Sequence, residues 1–246
     1  MKAFRIVVTA TAIVIAQTII CGVAMLPAAL LWRGGVASAP ADSTLEIVVA
    51  SMLLMPAYIV FALCLMPVSA VVMRLVGART PPHAELPISD MSWPLMKWVQ
   101  YMSAAHIVRL VSGSMFRGSP LWTMYLRMNG ARIGRRVFIN TLSIADHNLL
   151  ELGDDVVIGA DVHISGHTVE GGMVKTGRVR VGSNVTIGLG SAIDIDVDIG
   201  EGCQIGAVTF VPKHARLDPH SVYVGIPARK LGDRINDAVA QVPAPR

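Results

Sequence analysis

The sequence predicts a mainly β chain: a parallel β-helix of six-residue repeats, preceded by two transmembrane helices and a short helical cap. Three observations predict it. Aliphatic residues recur at Ile133, Ile139, Leu152, Ile158, Ile164, Val181, Ile187, Ile193, Ile199, Ile205, Val211 and Leu217, almost always six apart or a multiple of six. Each is followed by a small or turn-forming residue, such as Gly134, Gly153 or Asp194, and four positions on by a compact one, such as Val137, Val185 or Cys203. The third observation lies at the front, where Ile6 to Trp32 and Ile47 to Met73 carry no charge. A period of six belongs to β-helix repeats, since an amphipathic helix repeats at 3.6 and a half-buried strand at 2.

Residues 1–79 are expected to form a two-helix membrane anchor. Hydrophobic content of 53% with 15% charged residues is too apolar for an ordinary soluble chain of 246 residues, and the excess is concentrated here. Each charge-free run exceeds the ~20 residues that span a bilayer, and Pro56 and Pro67 are tolerated in such spans. A cleaved signal peptide is the competing reading, with Lys2 and Arg5 as its basic region and Ala37-Ser38-Ala39 as a cleavage site. Its apolar core would however be only ~7–15 residues long. Lys2 and Arg5 precede the first span, Arg74 and Arg79 close the second, and the connecting loop holds Arg33 alone. Positive charge near helix ends marks the cytoplasmic side. The expectation is a multi-pass protein of the bacterial inner membrane with its β-helix in the cytoplasm.

Residues 80–130 are expected to hold a Pro-rich linker (Thr80 to Pro94), an amphipathic helix (Leu95 to Val111) and a capping helix (Pro120 to Met128) ended by Asn129-Gly130. Trp98, Tyr101, Lys97 and Arg109 suit a helix lying among membrane lipids at the surface, or one packed as a cap on the β-helix. Residues 131–230 form the β-helix, with 231–246 as a C-terminal tail. In each repeat the aliphatic residue and the compact one point inward, and the Gly, Asn or Asp after the beat is expected where the chain turns. Cys21 and Cys64 fall in the spans and Cys203 at an inward position, so no disulfide or metal site is expected from them. A net charge of +4 without a Lys/Arg cluster speaks against nucleic acid as partner.

Departures from a regular repeat are where function is expected. Between Ile139 and Leu152 the spacing is thirteen, and the slipped stretch contains Asp146-His147-Asn148. Between Ile164 and Val181 it is seventeen, which implies a protruding loop with Gly166-His167-Thr168-Val169-Glu170-Gly171-Gly172.

The repeats, the loop His and the ending Val224-Gly225-Ile226-Pro227-Ala228-Arg229 resemble the left-handed β-helix hexapeptide acyltransferases. Gly166-His167 and its polar loop are similar to the galactoside and maltose O-acetyltransferases, where the matching His is the catalytic base. Phe138-Ile139-Asn140 followed by Asp146 is similar to their acceptor-site pattern. Pro120 to Arg136, Gly166 to Glu170 and Gly225 to Arg229 are similar, more closely, to the C-terminal synthetase modules of ε-poly-lysine-type nonribosomal peptide synthetases. The resemblance implies a pantetheine thioester as donor, either acyl-CoA or an acyl-phosphopantetheine carrier protein, and no metal. It also implies a homotrimer with sites between neighbouring β-helices.

Acyl transfer needs a base for the acceptor hydroxyl or amine, and an imidazole titrating near neutrality suits that task. His167 is the expected base, with Glu170 or a backbone carbonyl fixing its tautomer. A backbone N–H or Asn140 of a neighbouring subunit would steady the oxyanion. Asp146 and His147 are expected at the acceptor, which could be a small molecule, a sugar, a lipid or a peptide. On the donor side the resemblance implies Gly206 and Ala207 through their backbone, Gly225 in the closing motif, and Lys213 and Arg229 at the nucleotide phosphates. Thr186 to Gly190 lacks the aromatic and polar residues of the sugar enzymes, which leaves CoA and carrier protein both open. Asp194, Asp196 and Asp198 read as outward corner residues rather than a calcium ladder. Two alternatives remain: a zinc protein like the γ-carbonic anhydrases, using His147, His163 and His167, and a non-catalytic scaffold.

Overall fold

The structure, a computed structural model, describes residues 2–233. Short strands stack into three parallel sheets that close a triangular β-helix. On the first face Ile139, Ile158, Ile187, Ile205 and Tyr223 lie in register. On the second, Ile144, Ile164, Ile193 and Val211 align. On the third, Ile133, Leu152, Val181, Ile199 and Leu217 do so. The sixfold beat therefore becomes three columns of aliphatic side chains facing one axis. Ile158 and Ile187 in these columns, and the compact inward residues Val185, Val197 and Cys203 between them, are fully buried. Each coil exposes its apolar edge without its neighbours, so stability is shared along the stack.

The corners differ from expectation in one respect. The residue in the left-handed region is not the one after the beat but the one three after it: Arg136, Asp155, Asp161, Asn184, Asp196, Val208, His214 and His220, with φ between 52° and 63°. Glycine after the beat answers a different need, the close approach of the next coil. A Cβ added at Gly153 would lie 2.6 Å from the Ser183 nitrogen, and one at Gly188 2.6 Å from that of Ala207. Thr168 also departs from its expected inward position and sits in the protruding hairpin.

Helices α1 (Lys2–Val36) and α2 (Thr44–Leu75) run antiparallel, joined by a short turn and tied near it by Trp32 Nε1 donating to the Ala50 carbonyl at 3.1 Å. Among the described residues these are two helices long and apolar enough to cross a membrane. Only 11% and 6% of their most apolar stretches is buried, whereas the core helix of a soluble domain would be mostly covered. The two halves of α2 differ. From Leu45 to Ile59 large apolar side chains face outward, but Ala62, Leu65, Met66, Ser69, Ala70 and Met73 form a buried stripe at helical spacing. That stripe is part of the same apolar core as the coils.

Helix α3 (Trp93–Val108) lies between this helical pair and the β-helix. Gln17 Nε2 donates to Ser103 Oγ at 2.8 Å, and Arg5 sits over the Trp93 ring. The helix then widens into a π-turn, Arg109–Gly113, and a single turn, α4 (Ser114–Phe116). Within that stretch Ser112 Oγ donates to the Ala62 carbonyl, and the Val111 carbonyl accepts from Tyr58 at 2.7 Å. Helix α5 (Pro120–Met128), capped by Ser119, covers the first coil, with Trp122 Nε1 donating to the Thr141 carbonyl at 3.1 Å. At the other end Arg229–Asp233 folds back antiparallel on Ser221–Val224 and covers an open strand edge. Of the expected tail 231–246, residues 234–246 lie outside the described residues.

The stretch 80–94 is built into the structure. Glu85–Pro87 pairs antiparallel with Met173–Thr176, and Thr80 is fully buried. Its Pro and polar content reads as a linker because its hydrogen-bond partners are some 70 to 95 residues away in sequence.

Candidate active site

Both irregularities leave the β-helix at the same corner, on successive coils. The slipped stretch follows Ile144 and the insertion follows Ile164, and the two isoleucines are bridged in parallel with Ala145 N donating to the Ile164 carbonyl. Two interruptions twenty residues apart in sequence are thereby brought face to face. The insertion is a hairpin of His167–Glu170 against Met173–Thr176. Gly171 and Gly172 at its tip have φ of 57° and 73°, as a two-residue hairpin turn with the twist of the strands requires. In the slipped stretch Asp146 takes φ 56° and starts a single 3₁₀ turn, His147–Leu149.

Gly166 sets the distance between them, since a Cβ there would stand 2.6 Å from Asp146 Cβ. With that space left open, His167 Nδ1 donates to Asp146 Oδ2 at 2.5 Å. The other carboxylate oxygen accepts from Thr80 Oγ1 at 2.6 Å and from Trp98 Nε1 at 3.1 Å. The Trp98 ring meets the His167 ring edge-on at 5.0 Å between centroids. Asp146 is wholly buried, while the His167 side chain keeps 21% of its surface exposed. Burial pushes the Asp146 carboxyl up, but the hydrogen bond and charge of His167, with those of Thr80 and Trp98, outweigh it and hold the group below its ordinary range. Nδ1 is thus committed as a donor. Among the described residues nothing bonds to Nε2, which leaves that nitrogen's lone pair free to accept a proton at the surface of the site.

The remaining sequence-derived candidates fall in several places. Glu170 does not orient His167. Its carboxylate accepts from Lys213 Nζ at 2.8 and 2.6 Å and lies 3.0 Å from Lys175, and these contacts lower its pKa to about 2. Asp146 makes the imidazole contact instead, which withdraws it from direct contact with an acceptor. His147 is 3% exposed, between the rings of Tyr101 and Tyr125, and burial lowers its pKa to about 4. It is a buried neutral group at the back of the cleft between α3 and the slipped coil. Asn140 leaves the coil at a different corner from His167, beside Gly118, and the two share no hydrogen bond. Gly206 and Ala207 follow the strand Gln204–Ile205, with the Gly206 carbonyl accepting from Ser191. Gly225, with φ 98°, accepts from Phe210 N, and Arg229 is exposed at the start of the last strand. Lys213 comes within reach of the hairpin through Glu170. His163 is exposed beside the site; burial, then the charges of His167 and Arg109, push its pKa down. Asp196 and Asp198 pair with Arg180, His214 and Arg216, and Asp194 accepts from the Ile195 backbone. No cluster of three or more His, Cys, Asp or Glu is placed to hold a metal among the described residues.

No protein-family model matches the sequence. A delta-poly-L-ornithine synthetase of Acinetobacter baumannii is 29% identical over 112 residues, covering 46% of this chain and 8% of that protein. A galactoside O-acetyltransferase of Escherichia coli is 35% identical over 113 residues, covering 43% of this chain and 54% of that protein. The chain resembles the hexapeptide-repeat acyltransferases. Among solved structures, a hexapeptide-repeat acetyltransferase of Vibrio cholerae bound to acetyl-coenzyme A is 23% identical, with a TM-score of 0.39 over 44% of this chain and 62% of that one. The chain thus spans about half or less of the length of the curated relatives it matches.

Beside this hexapeptide-repeat acyltransferase pattern stand residues that sequence reasoning did not reach. Thr80 and Trp98 complete the shell around Asp146, and both precede the repeats. Asn148 holds Thr80 from both sides, donating to its carbonyl at 2.8 Å and accepting from its N–H at 3.3 Å. No periodicity marks a contact across so many residues. The one local signal was the position of Asp146-His147-Asn148 at the slip itself.

Proposed function

We propose that this chain is a membrane-anchored acyltransferase with a left-handed β-helix. It moves an acyl or aminoacyl group from a pantetheine thioester, on CoA or a carrier protein, to a hydroxyl or amine. The observation that carries the reading is the His167–Asp146 pair, with Nδ1 held by a buried carboxylate and Nε2 unpartnered. In the proposed step Nε2 takes the proton of the acceptor O–H or N–H as that atom attacks the thioester carbonyl. The tetrahedral intermediate collapses, the C–S bond breaks, and the departing thiolate recovers the proton from His167. Asp146 stays ionised throughout and stabilises the imidazolium. Backbone N–H groups along the coils, or Asn140 of a second copy, steady the oxyanion.

Residues 1–79 act as the anchor, 80–130 as the connection between anchor and coils, and 131–230 as the catalytic β-helix. Gly206, Ala207 and Gly225 would pass the pantetheine arm along the backbone, with Arg229 and Lys213 at the phosphates. The functional unit is a homotrimer at the cytoplasmic face of the inner membrane, with six spans. Support for the anchor comes from the outward apolar surface of α2 between Leu45 and Ile59. The test uses the full chain in detergent with a panel of acyl-CoA donors and hydroxyl and amine acceptors, reading free thiol released. Thiol release that depends on acceptor and is lost in His167→Ala, with the fold intact by circular dichroism, is expected. Stoichiometric zinc in the purified protein, or full function of His167→Ala in cells, would overturn the proposal, and a monomer mass in detergent would remove the trimer.

A further inference from the structure

Beside the His167 pair lies a cleft lined in part by Asp146. One wall is α3 and its π-turn, with Met102, His106 and Arg109, and the other is the slipped coil from Ile144 to His147. Three features of it point to a ligand. Arg109 has no carboxylate partner among the described residues, its guanidinium reaching only His106 Nδ1 at 3.0 Å. His147, 3% exposed, lines the cleft with an Nδ1 that finds no hydrogen-bond partner. A buried polar atom left without a partner is costly, so this nitrogen calls for a hydrogen-bonding group from outside the chain. Finally, Arg109 opens a π-turn, a backbone form found often at functional sites.

The same π-turn touches the membrane pair. Val111, two residues on, accepts from Tyr58, and Tyr58 lines an apolar groove between α1 and α2 with Met25, Ala29, Trp32, Leu54 and Ala57. Tyr58 and Ile59 are also where α2 passes from its outward apolar half to its buried half. Arg109 of the cleft and Val111, which is bonded to Tyr58 of the groove, thus stand on one π-turn.

We propose that the acceptor is an anionic amphiphile, a phosphate-bearing membrane lipid with a hydroxylated head group. Its phosphate lies against Arg109 and His106, a head-group hydroxyl hydrogen-bonds with His147 Nδ1, and its chain follows the groove between α1 and α2. The proposal rests on the acyltransferase function assigned to His167, and adds to it the chemical class of the acceptor. It also gives the membrane helices a role in substrate binding beyond attachment.

The test measures lipid retention by native mass spectrometry on the full chain in detergent, with phosphatidylglycerol and phosphatidylcholine as probes and glycerol 3-phosphate as the soluble comparison. Phosphatidylglycerol is expected to bind at least tenfold more tightly than phosphatidylcholine, and Arg109→Gln to remove that preference. Ala57→Trp, which fills the groove and leaves Arg109 in place, is expected to weaken phosphatidylglycerol at least fivefold without changing glycerol 3-phosphate. Equal binding of the two lipids, or a preference that survives Arg109→Gln, overturns the proposal. Equally strong binding of glycerol 3-phosphate, insensitive to Ala57→Trp, replaces it with a site for a free phosphate. His167→Ala separates the two ideas: it is expected to keep phosphatidylglycerol bound while thiol release is lost. If no acyl transfer is found in any variant but the Arg109-dependent preference persists, the lipid site stands and the acyltransferase function falls.

Discussion

Replacing Asp146 by asparagine tests the centre of the site with the least disturbance of its packing. The side chain is 0% exposed and holds three donors: His167 Nδ1 at 2.5 Å, Thr80 Oγ1 at 2.6 Å and Trp98 Nε1 at 3.1 Å. In Asp146→Asn the amide oxygen can keep Thr80 and Trp98, so two of the three bonds survive. The amide NH2 then faces His167 and can only donate to Nδ1, which places the imidazole proton on Nε2. A base whose reacting nitrogen already carries a proton cannot take another, and the compensating negative charge is gone as well. The analogous exchange in a Ser-His-Asp triad costs turnover on the order of 10⁴, and general-base catalysis as a whole contributes ~10²–10⁴. A fall in kcat of about 10³ or more is expected here.

Asp146→Ala should behave differently. It orphans Thr80, which is fully buried, and the Trp98 indole, at ~1–3 kcal/mol each, while partly exposed His167 can turn to water. A stability loss of about 2–6 kcal/mol should therefore accompany the lost activity. Thiol release followed at 412 nm and thermal unfolding of both variants separate the two effects. If Asp146→Asn kept activity within tenfold of the parent, the tautomer argument would be wrong, whatever its stability.

Further predictions rest on other parts of the structure. Gly166→Ala puts a methyl 2.6 Å from Asp146 Cβ, so the hairpin base must move away; activity should fall at least 100-fold and stability by ~1–3 kcal/mol, and an unchanged rate would show that the pair tolerates separation. His147 has its folded pKa lowered to about 4 by burial, below the ~6.5 of an unfolded histidine. The unfolded chain thus binds the extra proton first, and about 3 kcal/mol of stability, fully present above pH 6.5, should drain away as pH falls toward 4; His147→Phe should flatten that part of the urea-unfolding profile. Ile187→Ala opens a hole in the fully buried column and should cost ~2–5 kcal/mol by denaturant unfolding. Lys213→Ala releases Glu170 and should raise the KM for the CoA donor severalfold; an unchanged KM would remove Lys213 from the phosphate contacts.

The parts of this protein that were legible in the sequence are those set by nearest neighbours in the stack. The period of six dictates which side chains meet where it is unbroken, because coils repeat at a fixed rise, and so the pairs Ile187–Ile205, Ile193–Val211 and Val181–Ile199–Leu217, eighteen apart, follow from spacing alone, whereas Ile139–Ile158–Ile187 crosses both interruptions. Spacing could not say why glycine follows the beat. Backbone approach of the next coil, not a positive φ, decides it, and that depends on a distance between coils that no single repeat contains. At the site, His167 and Asp146 both stand where the count fails, but their pairing depends on the two failures falling on one corner. Assigning the tautomer contact to Glu170 followed sequence proximity within the loop. Strand alternation and the pull of Lys213 and Lys175 carry that carboxylate to the opposite side of the hairpin.

The front of the chain shows the same limit from another direction. Two charge-free runs announce two helices, but composition cannot divide α2 into a half that faces outward and a half that belongs to the core of the β-helix. The division is made by packing: Ala62, Leu65, Met66 and Met73 sit in one continuous apolar cluster with Val108, Trp122, Tyr125 and the first coils. Helix α3 rests on that cluster through Tyr101, Ala104 and Val108; its Trp98 is a hydrogen-bond donor to Asp146, and buried Tyr101 on the next turn accepts the His147 backbone N–H. Anything that shifts α2 against the coils must therefore move α3, and with it two of the groups that fix the slipped coil. The two apolar helices and the candidate base are joined through packed side chains over one helix width. Cutting the chain before residue 80 would remove the stripe Ala62–Met73 and uncover the core behind it, so an isolated β-helix should express poorly or aggregate rather than fold as an active soluble enzyme. A soluble, monodisperse fragment of residues 80–246 that releases thiol at the parent rate would refute that coupling.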